Sequence, residues 1–242
     1  LLSLGANPRF TLTAEDLALV KRHLADPWFA TAVLTTMSVI DRATLIMLVN
    51  EPDMPTAFLK QVGQVYAAAN RDDLGTAPLD LITAAATNPG AAAALEGLAA
   101  GLRSTGGSLD AWWEKHPEAK AKARALFEAS EKQALDEKLP PARRVQAMRL
   151  LDLRPLAERM KLADKLLAPT QPFEVQVAFV QSLAASTDAA VSPVLLAAWP
   201  QATPGVRAAI EEALLARPER IKALLDAVEA ETIEPQQLGA LK

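Results

Sequence analysis

Three similar segments at a regular spacing constrain the fold of this chain more than any other feature. They are RVQAMRLL from Arg144, QVAFVQSL from Gln176 and RAAIEEAL from Arg207, so their first residues lie 32 and then 31 positions apart. Each segment follows a proline-containing turn and precedes a second apolar run with helical spacing. Self-similarity at this period is typical of α-solenoids, in which pairs of helices stack on neighbouring pairs. The repeats therefore predict an all-α fold.

The rest of the chain extends this pattern with less regularity. Residues 140–232 hold three clear HEAT-like repeats, whereas residues 1–139 predict helices of similar length in eroded repeats. Residues 233–242 predict a short terminal helix or a tail. We therefore expect one continuous α-solenoid over residues 1–242, a HEAT- or armadillo-like superhelix of about six helix pairs. Clusters of β-branched residues with alternating polarity, which would indicate strands, are missing.

Several helix boundaries follow from local signals. Thr13, with Asp16 three residues later, predicts a capped helix start. The alanine- and glycine-rich run over residues 91–103 predicts a helix that packs closely against another. Residues 117–139 predict one long solvated helix. The second helices of the three repeats are predicted at residues 156–167, 191–199 and 219–228.

The charge and composition of the chain exclude several classes of function. A net charge of −4 argues against a nucleic-acid binder, which normally carries a basic excess. The absence of cysteine excludes disulfides, a thiolate nucleophile and cysteine-ligated metals. No run of eighteen apolar residues is present, so we expect no membrane insertion. Because the sequence begins without an initiator methionine or a signal-peptide pattern, we expect it to be a segment of a longer protein.

The sequence also resembles a known family. The phrases ARRVQAMRLLDL, PFEVQVAFVQSLAASTD and LLAAWPQATPGVRAAIEEALLARPERIKALLDAVEAETI, together with LLSLGANP, DPWFATAVLTTM and AALEGLAAGL, carry the resemblance. In their order they are similar to the HEAT-repeat region of large haem-binding-domain dehydrogenases of the PVC type. The resemblance covers nearly the whole chain.

This resemblance implies a connecting, non-catalytic segment of an exported redox protein. In that family plan a β-propeller precedes the helical repeats, and a c-type cytochrome module with a Cys-x-x-Cys-His haem attachment sequence follows them. With no cysteine, this chain carries none of the family's haem ligands, and we expect no cofactor in this segment. Dehydrogenase activity would belong to domains outside it, and the compartment implied is exported or periplasmic.

A basic cluster over residues 138–165 is the strongest candidate for a binding surface. The cluster contains eight basic and three acidic residues. This local excess of positive charge favours a negatively charged partner, such as the acidic face of a neighbouring domain. The candidate partner-binding arginines are Arg144, Arg149, Arg154 and Arg159. The alternative is that these residues line a solvated rim or form salt bridges between neighbouring repeats.

Arg144, Gln176 and Arg207 occupy matching repeat positions, and we expect a structural role for them. Such positions can form a polar ladder with aspartates in the turns inside each repeat. Asp152 and Asp188 are the predicted partners.

The aromatic residues and histidines supply weaker candidates. Trp112 and Trp113 point about 100° apart on a helix, so one can be buried while the other lies at its rim, and a partner-binding role is the alternative. Trp28 and Trp199 are expected to be packing anchors. His23 and His116 lack the spacing of metal ligands, and we expect them at helix ends, without a metal or a catalytic role.

The sequence thus favours a non-catalytic scaffold and protein-interaction module that binds neighbouring domains or another protein. No stretch specifies a reaction. Two alternatives stay open. One is a HEAT-like DNA glycosylase with a basic groove and an aromatic-and-acidic nucleotide site. The other is a helical-repeat protein that binds a cofactor in an apolar pocket near Trp112 and Trp113.

Overall fold

Helices form the regular structure of the chain throughout the part that is described. The structure is a computed structural model, and it describes residues 13–36 and 40–239. These residues form fifteen α-helices and two short 3₁₀ turns, with no β-strand among them. The prediction of an all-α fold is confirmed, and the arrangement of the helices as one superhelix stays a prediction.

Contacts between residues divide the chain into two compact units, Leu1–Leu126 and Phe127–Lys242, and the boundary falls inside the helix Pro117–Leu135. Unit 1 contains α1 (Ala14–His23), α2 (Pro27–Thr36), α3 (Arg42–Asn50), α4 (Thr56–Ala69), α5 (Ala77–Ala85), α6 (Pro89–Ser104), α7 (Leu109–Lys115) and the start of α8 (Pro117–Leu135). Unit 2 contains the end of α8, α9 (Pro141–Leu151), α10 (Leu156–Met160), α11 (Ala163–Leu166), α12 (Phe173–Ala184), α13 (Val191–Ala198), α14 (Pro204–Leu215) and α15 (Pro218–Glu229).

Side-chain caps and prolines set most helix starts, as the sequence predicts. Thr13 and Asp16 form the expected capping box: the amide of Asp16 donates to Thr13 Oγ1 at 3.2 Å, and the amide of Thr13 donates to Asp16 Oδ2 at 2.9 Å. Asp41 caps α3 by accepting a hydrogen bond from the Thr44 amide at 2.7 Å. Each of these bonds satisfies an amide that a helix start would otherwise leave without a partner.

In unit 1, α4 and α6 approach each other so closely that only glycine fits at the contact. A Cβ atom placed on Gly97 would lie 1.8 Å from the carbonyl oxygen of Lys60. A Cβ atom on Gly63 would lie 2.0 Å from the carbonyl oxygen of Ala94. The prediction of a close helix contact at the small-residue run is confirmed. The buried core around this contact includes Leu59, Val62, Leu95 and Leu98.

Unit 2 is built from the three repeats. The first helices are α9, α12 and α14, and α12 packs between the other two. The second helices are α10 with α11, then α13, then α15. Apolar side chains at matching positions of the first helices enter one core, for which Leu151, Leu183 and Leu214 are the clearest examples.

Two predicted helices differ from the observed ones. The helix expected over residues 117–139 ends at Leu135. There the side chain of Asp136 accepts a bond from the Lys138 amide at 3.0 Å, and such a turn competes with a helix. The helix expected over residues 156–167 is interrupted between α10 and α11. The amide of Leu162 donates to Arg159 O, three residues back, and Leu162 joins the core.

Candidate functional site

Three of the eight basic residues in the cluster over residues 138–165, all of them buried or half-buried, form polar contacts inside unit 2: Arg144, Arg154 and Arg159. Arg144 is 1% exposed and Arg159 is 7% exposed, so these two predicted partner-binding residues are not part of the surface. Arg154 is half-buried and Arg149 is exposed. Burial of a guanidinium group requires polar partners, because an unpaired buried charge is costly. The sequence does not show which arginines meet this condition.

Arg144 fastens α9 to the end of α8. Its Nε donates to the carbonyl oxygen of Ala134 at 2.8 Å, and its Nη2 donates to Gln171 Oε1 at 2.6 Å. Ala134 is the next-to-last residue of α8, where carbonyl groups lack partners within the helix. Arg144 therefore caps the preceding helix.

The two matching repeat positions make the same kind of contact. Gln176 Nε2 donates to the carbonyl oxygen of Ala168 at 2.5 Å, just beyond α11. Arg207 Nε donates to the carbonyl oxygen of Trp199 at 3.1 Å, just beyond α13. The predicted structural role is supported, but the predicted aspartate partners are wrong: the bonds of these side chains go mainly to backbone carbonyl groups at the end of the preceding helix.

Asp152 is instead a partner of Arg159. Arg159 Nη1 lies 3.3 Å from Asp152 Oδ1 and donates to the carbonyl oxygen of Ser182 at 2.8 Å. The hydroxyl of Ser182 donates to the same Asp152 carboxylate. This arrangement joins the second helix of one repeat to the first helix of the next.

Arg220, which the sequence reasoning missed, also donates hydrogen bonds at the C-terminal end of α12. It is 1% exposed, and its Nη1 donates to Ala184 O and Ala213 O, each at 3.2 Å. Its Nη2 donates to Ser186 O. Burial lowers the pKa of Arg220, and the nearby Arg217 adds to this effect. The C-terminal end of α12 therefore receives two guanidinium groups at the negative end of its dipole.

Arg154 forms an ion-pair network within unit 2. Its Nη1 lies 2.5 Å from Glu131 Oε2, and its Nη2 lies 2.6 Å from Glu158 Oε2. Burial alone would lower the pKa of Arg154, but the hydrogen bonds that it donates to Glu131 and Glu158 raise the pKa above its ordinary value. Arg154 therefore fits the alternative given for the basic cluster, in which its residues form salt bridges instead of binding a partner.

Five basic residues of the cluster are exposed and form no ion pair within the described part of the chain. They are Lys138, Arg143, Arg149, Lys161 and Lys165. Of the predicted partner-binding arginines, only Arg149 belongs to this group.

A groove of about 510 Å³ opens between the second helices of the first two repeats. One wall is formed by Met160, Ala163, Asp164, Leu167, Ala168 and Pro169, and the other by Pro193, Val194, Ala197, Ala198 and Gln201. Four of these eleven residues are alanines, whose short side chains leave the space open. A groove of this volume lies within the range of about 300–1,000 Å³ that is usual for ligand pockets. The spacing of small residues in the second helices was the sequence signal that could have revealed it.

The aromatic pair lies in unit 1. Trp113 is buried and Trp112 is half-buried, as the sequence predicts for adjacent positions on a helix. Trp112 stacks on His116 with ring centroids 3.9 Å apart, and His116 Nδ1 lies 2.8 Å from the Trp112 carbonyl oxygen. Neither tryptophan lines the groove of unit 2. A partner-binding role for this pair stays a prediction.

The remaining tryptophans divide between the interior and the surface. Trp199 is 1% exposed and is the packing anchor that was expected. Trp28 is 85% exposed, so its predicted role as an anchor is wrong. Its amide donates to Asp26 Oδ1 at 2.9 Å, and this bond fixes the helix start without burying the ring. His23 and His116 lie at the ends of α1 and α7, as predicted.

Neither a metal-binding group nor a membrane-spanning helix is found among the described residues. Within residues 13–36 and 40–239, no three histidine, aspartate or glutamate side chains form a group that would hold a metal ion. None of the helices in that part of the chain has both the length and the apolar character needed to cross a bilayer.

Comparison with known proteins gives no assignment. No protein-family model, no curated protein and no solved structure matches this chain significantly.

Proposed function

We propose that this chain is a non-catalytic helical-repeat scaffold and protein-interaction module. The observation that carries the proposal is the polar contact repeated in unit 2. At the same position of three successive first helices, Arg144, Gln176 and Arg207 donate to a carbonyl group at the end of the preceding helix. A hydrogen bond that recurs at the same position of successive helix pairs is typical of repeat proteins, which act by presenting extended helical surfaces.

The use of buried charge in unit 2 also supports this proposal. Arg159 and Arg220 hold helix ends, and Arg154 links α10 to α8 through Glu131. Their charged groups thus serve the packing of helices. What remains for partners is the exposed surface, including the groove between second helices and the basic residues at positions 138, 143, 149, 161 and 165, which form no ion pair with the described residues.

The resemblance to the HEAT-repeat region of haem-binding-domain dehydrogenases supports a wider proposal, that the chain is part of a larger protein. On this proposal the chain is a segment of an exported multidomain redox protein, in which it separates and orients the neighbouring domains. The reading frame that contains this chain provides a direct check. We expect a β-propeller before Leu1 and a Cys-x-x-Cys-His sequence after Lys242. A reading frame that lacks both contradicts this part of the proposal.

Site-specific photo-cross-linking tests the interaction role. A photoreactive residue is placed at the exposed positions Ala197, Arg149 and Ala208, one at a time, in the cells that make the protein. Each cross-linked protein is identified and purified, and its binding to the full chain is measured by calorimetry. We expect at least one saturable complex of fixed stoichiometry. If no purified candidate binds the full chain, or if the chain alone turns over a substrate, the proposal is wrong.

A further inference from the structure

The two walls of the groove in unit 2 are formed by short helical segments: α10, α11 and the residues after them on one side, and α13 with the 3₁₀ turn Trp199–Gln201 on the other. The lining positions are 160, 163, 164, 167, 168 and 169 on the first wall, and 193, 194, 197, 198 and 201 on the second. Apart from position 169, both sets repeat at the three- and four-residue spacing of a helix face. Eight residue steps span about 12 Å in an α-helix and about 16 Å in a 3₁₀-helix, and each wall combines helical segments with turns. The groove is therefore long enough to take two turns of a third helix.

The lining of the groove is mostly apolar. Nine of the eleven wall residues are alanine, leucine, methionine, valine or proline, and the polar exceptions are Asp164 and Gln201. Apolar grooves of this kind bind the apolar face of an amphipathic helix, whose anchors recur at i, i+3 or i+4, and i+7. The alanines at positions 163, 168, 197 and 198 leave room for larger side chains from the incoming helix.

Charge distinguishes the two edges of the groove. Lys161 and Lys165 follow the lining residues Met160 and Asp164 in sequence; both are exposed, and neither forms an ion pair within the described part of the chain. Asp164 lies between them, so this edge carries a net charge of +1 from two lysines and one aspartate. The second wall, residues 191–201, contains no charged residue. Negative side chains on a partner are therefore favoured along the first wall only.

We infer that this groove binds an amphipathic α-helix of a partner protein, with acidic residues along the edge that faces Lys161 and Lys165. The inference rests on the proposed function and states the chemistry of the partner. The apolar stripe of the partner helix fills the space between the walls. Its carboxylates pair with the two lysines, and this pairing fixes which side of the helix faces α10 and α11.

Three labelled peptides of about 18 residues, long enough to form a helix, test this inference against the full chain. The first has leucines at i, i+4 and i+7 and glutamates along one flank. The second has lysines in place of the glutamates, and the third is a scrambled version of the first. Binding is measured by fluorescence anisotropy at low salt, where charge pairing is least screened. We expect the first peptide to bind about tenfold or more tightly than the other two.

Matched variants locate the site. Ala197→Glu places a charge in the groove and is expected to weaken binding of the first peptide about tenfold or more. Ala208→Glu, at an exposed alanine outside the groove lining, is the control. The double variant Lys161→Glu/Lys165→Glu is expected to weaken the first peptide about tenfold and to favour the second. Its control is Lys138→Glu, at an exposed and unpaired lysine outside the lining. Urea unfolding of each variant verifies that it is folded.

Several outcomes overturn the inference. They are tighter binding of the lysine-flanked peptide to the unmodified chain, equal binding of the scrambled peptide, and equal effects of Ala197→Glu and Ala208→Glu. Its failure is distinguishable from failure of the proposed function. If a purified partner binds the Ala197→Glu variant as tightly as the unmodified chain, the proposed function stands but the groove is not the binding site. If the first peptide binds the groove but no protein partner is found, the inference about the groove stands and the proposed function fails.

Discussion

The two units of the chain bury different kinds of groups. Of the eight buried polar or charged residues in the described part, Thr44 lies in unit 1 and the other seven lie in unit 2. Unit 1 instead brings the backbones of α4 and α6 together at glycines. Close backbone approach depends on shape, whereas a buried guanidinium depends on directional hydrogen bonds. The helices of unit 1 are thus held together by close backbone packing and those of unit 2 by buried hydrogen bonds. Different substitutions should therefore destabilise each unit.

Filling the glycine contact is the most damaging change that we expect in unit 1. In Gly97→Ala the new Cβ atom meets the carbonyl oxygen of Lys60 at 1.8 Å, so the backbones of α4 and α6 must separate. We expect the free energy of unfolding to fall by about 3 kcal/mol or more, measured by urea denaturation. Gly107→Ala is the control, because its Cβ atom would lie at 3.5 Å from Leu102. Similar urea midpoints for the two variants would show that the close contact is not essential.

Removing a buried guanidinium is the corresponding test in unit 2. Arg220→Met keeps the length of the side chain but leaves the carbonyl groups of Ala184, Ala213 and Ser186 without their donor. We expect a loss of about 2–3 kcal/mol, because several buried acceptors become unsatisfied at once. Arg149→Met, at an exposed arginine, should change stability by less than about 0.5 kcal/mol. If Arg220→Met is as stable as the Arg149→Met control, buried guanidinium hydrogen bonds do not hold the helices of unit 2 together.

The repeated position sharpens the comparison inside unit 2. Arg207 is half-buried, and its guanidinium carbon lies 5.7 Å from the centre of the Trp199 ring. Because water can replace part of its bonding, we expect Arg207→Ala to cost about 1 kcal/mol. Arg144→Ala, at a fully buried position, should cost about 2–3 kcal/mol. Equal losses for the two variants in chemical denaturation would mean that burial does not set the value of this contact.

The capping box of α1 supplies the smallest effect, and it depends on pH. Hydrogen bonds from the side chain and the backbone of Thr13 lower the pKa of Asp16 below its ordinary value. A lowered pKa in the folded state stabilises α1 above the unfolded value of about 3.9, and this contribution is lost as pH falls through the folded value. In a carboxyl titration followed by NMR, we expect Thr13→Val to raise the Asp16 midpoint. An unchanged midpoint would contradict the role of Thr13.

The sequence predicts the helices of this chain well because local signals determine them. Thr13 and Asp41 cap the helices that follow them, and the proline-containing turn before Arg144 opens a repeat. The glycines of α6 predicted a close helix contact, although not its partner. The break between α10 and α11 was missed, because a local turn there depends on how Leu162 reaches the core.

The candidate site was harder to predict, since sequence does not separate buried arginines from exposed ones. Arg144 and Arg159 were candidates for partner binding and are interior residues. The match of Arg144 with Gln176 was the available signal, because a neutral amide at the same repeat position indicates hydrogen bonding rather than a surface charge. The groove depends on how α13 lies beside α10 and α11, which no single repeat specifies.

The placement of Arg159 and Arg220 has a consequence for how unit 2 comes apart. Terminal pairs of a helical array ordinarily open before the interior ones. When α14 and α15 open, Arg220 leaves the end of α12. The carbonyl groups of Ala184 and Ser186 then lose this hydrogen-bond donor. Opening the last pair therefore also breaks hydrogen bonds at the end of the middle pair. We expect the last pair to resist fraying more than a terminal pair that lacks such contacts.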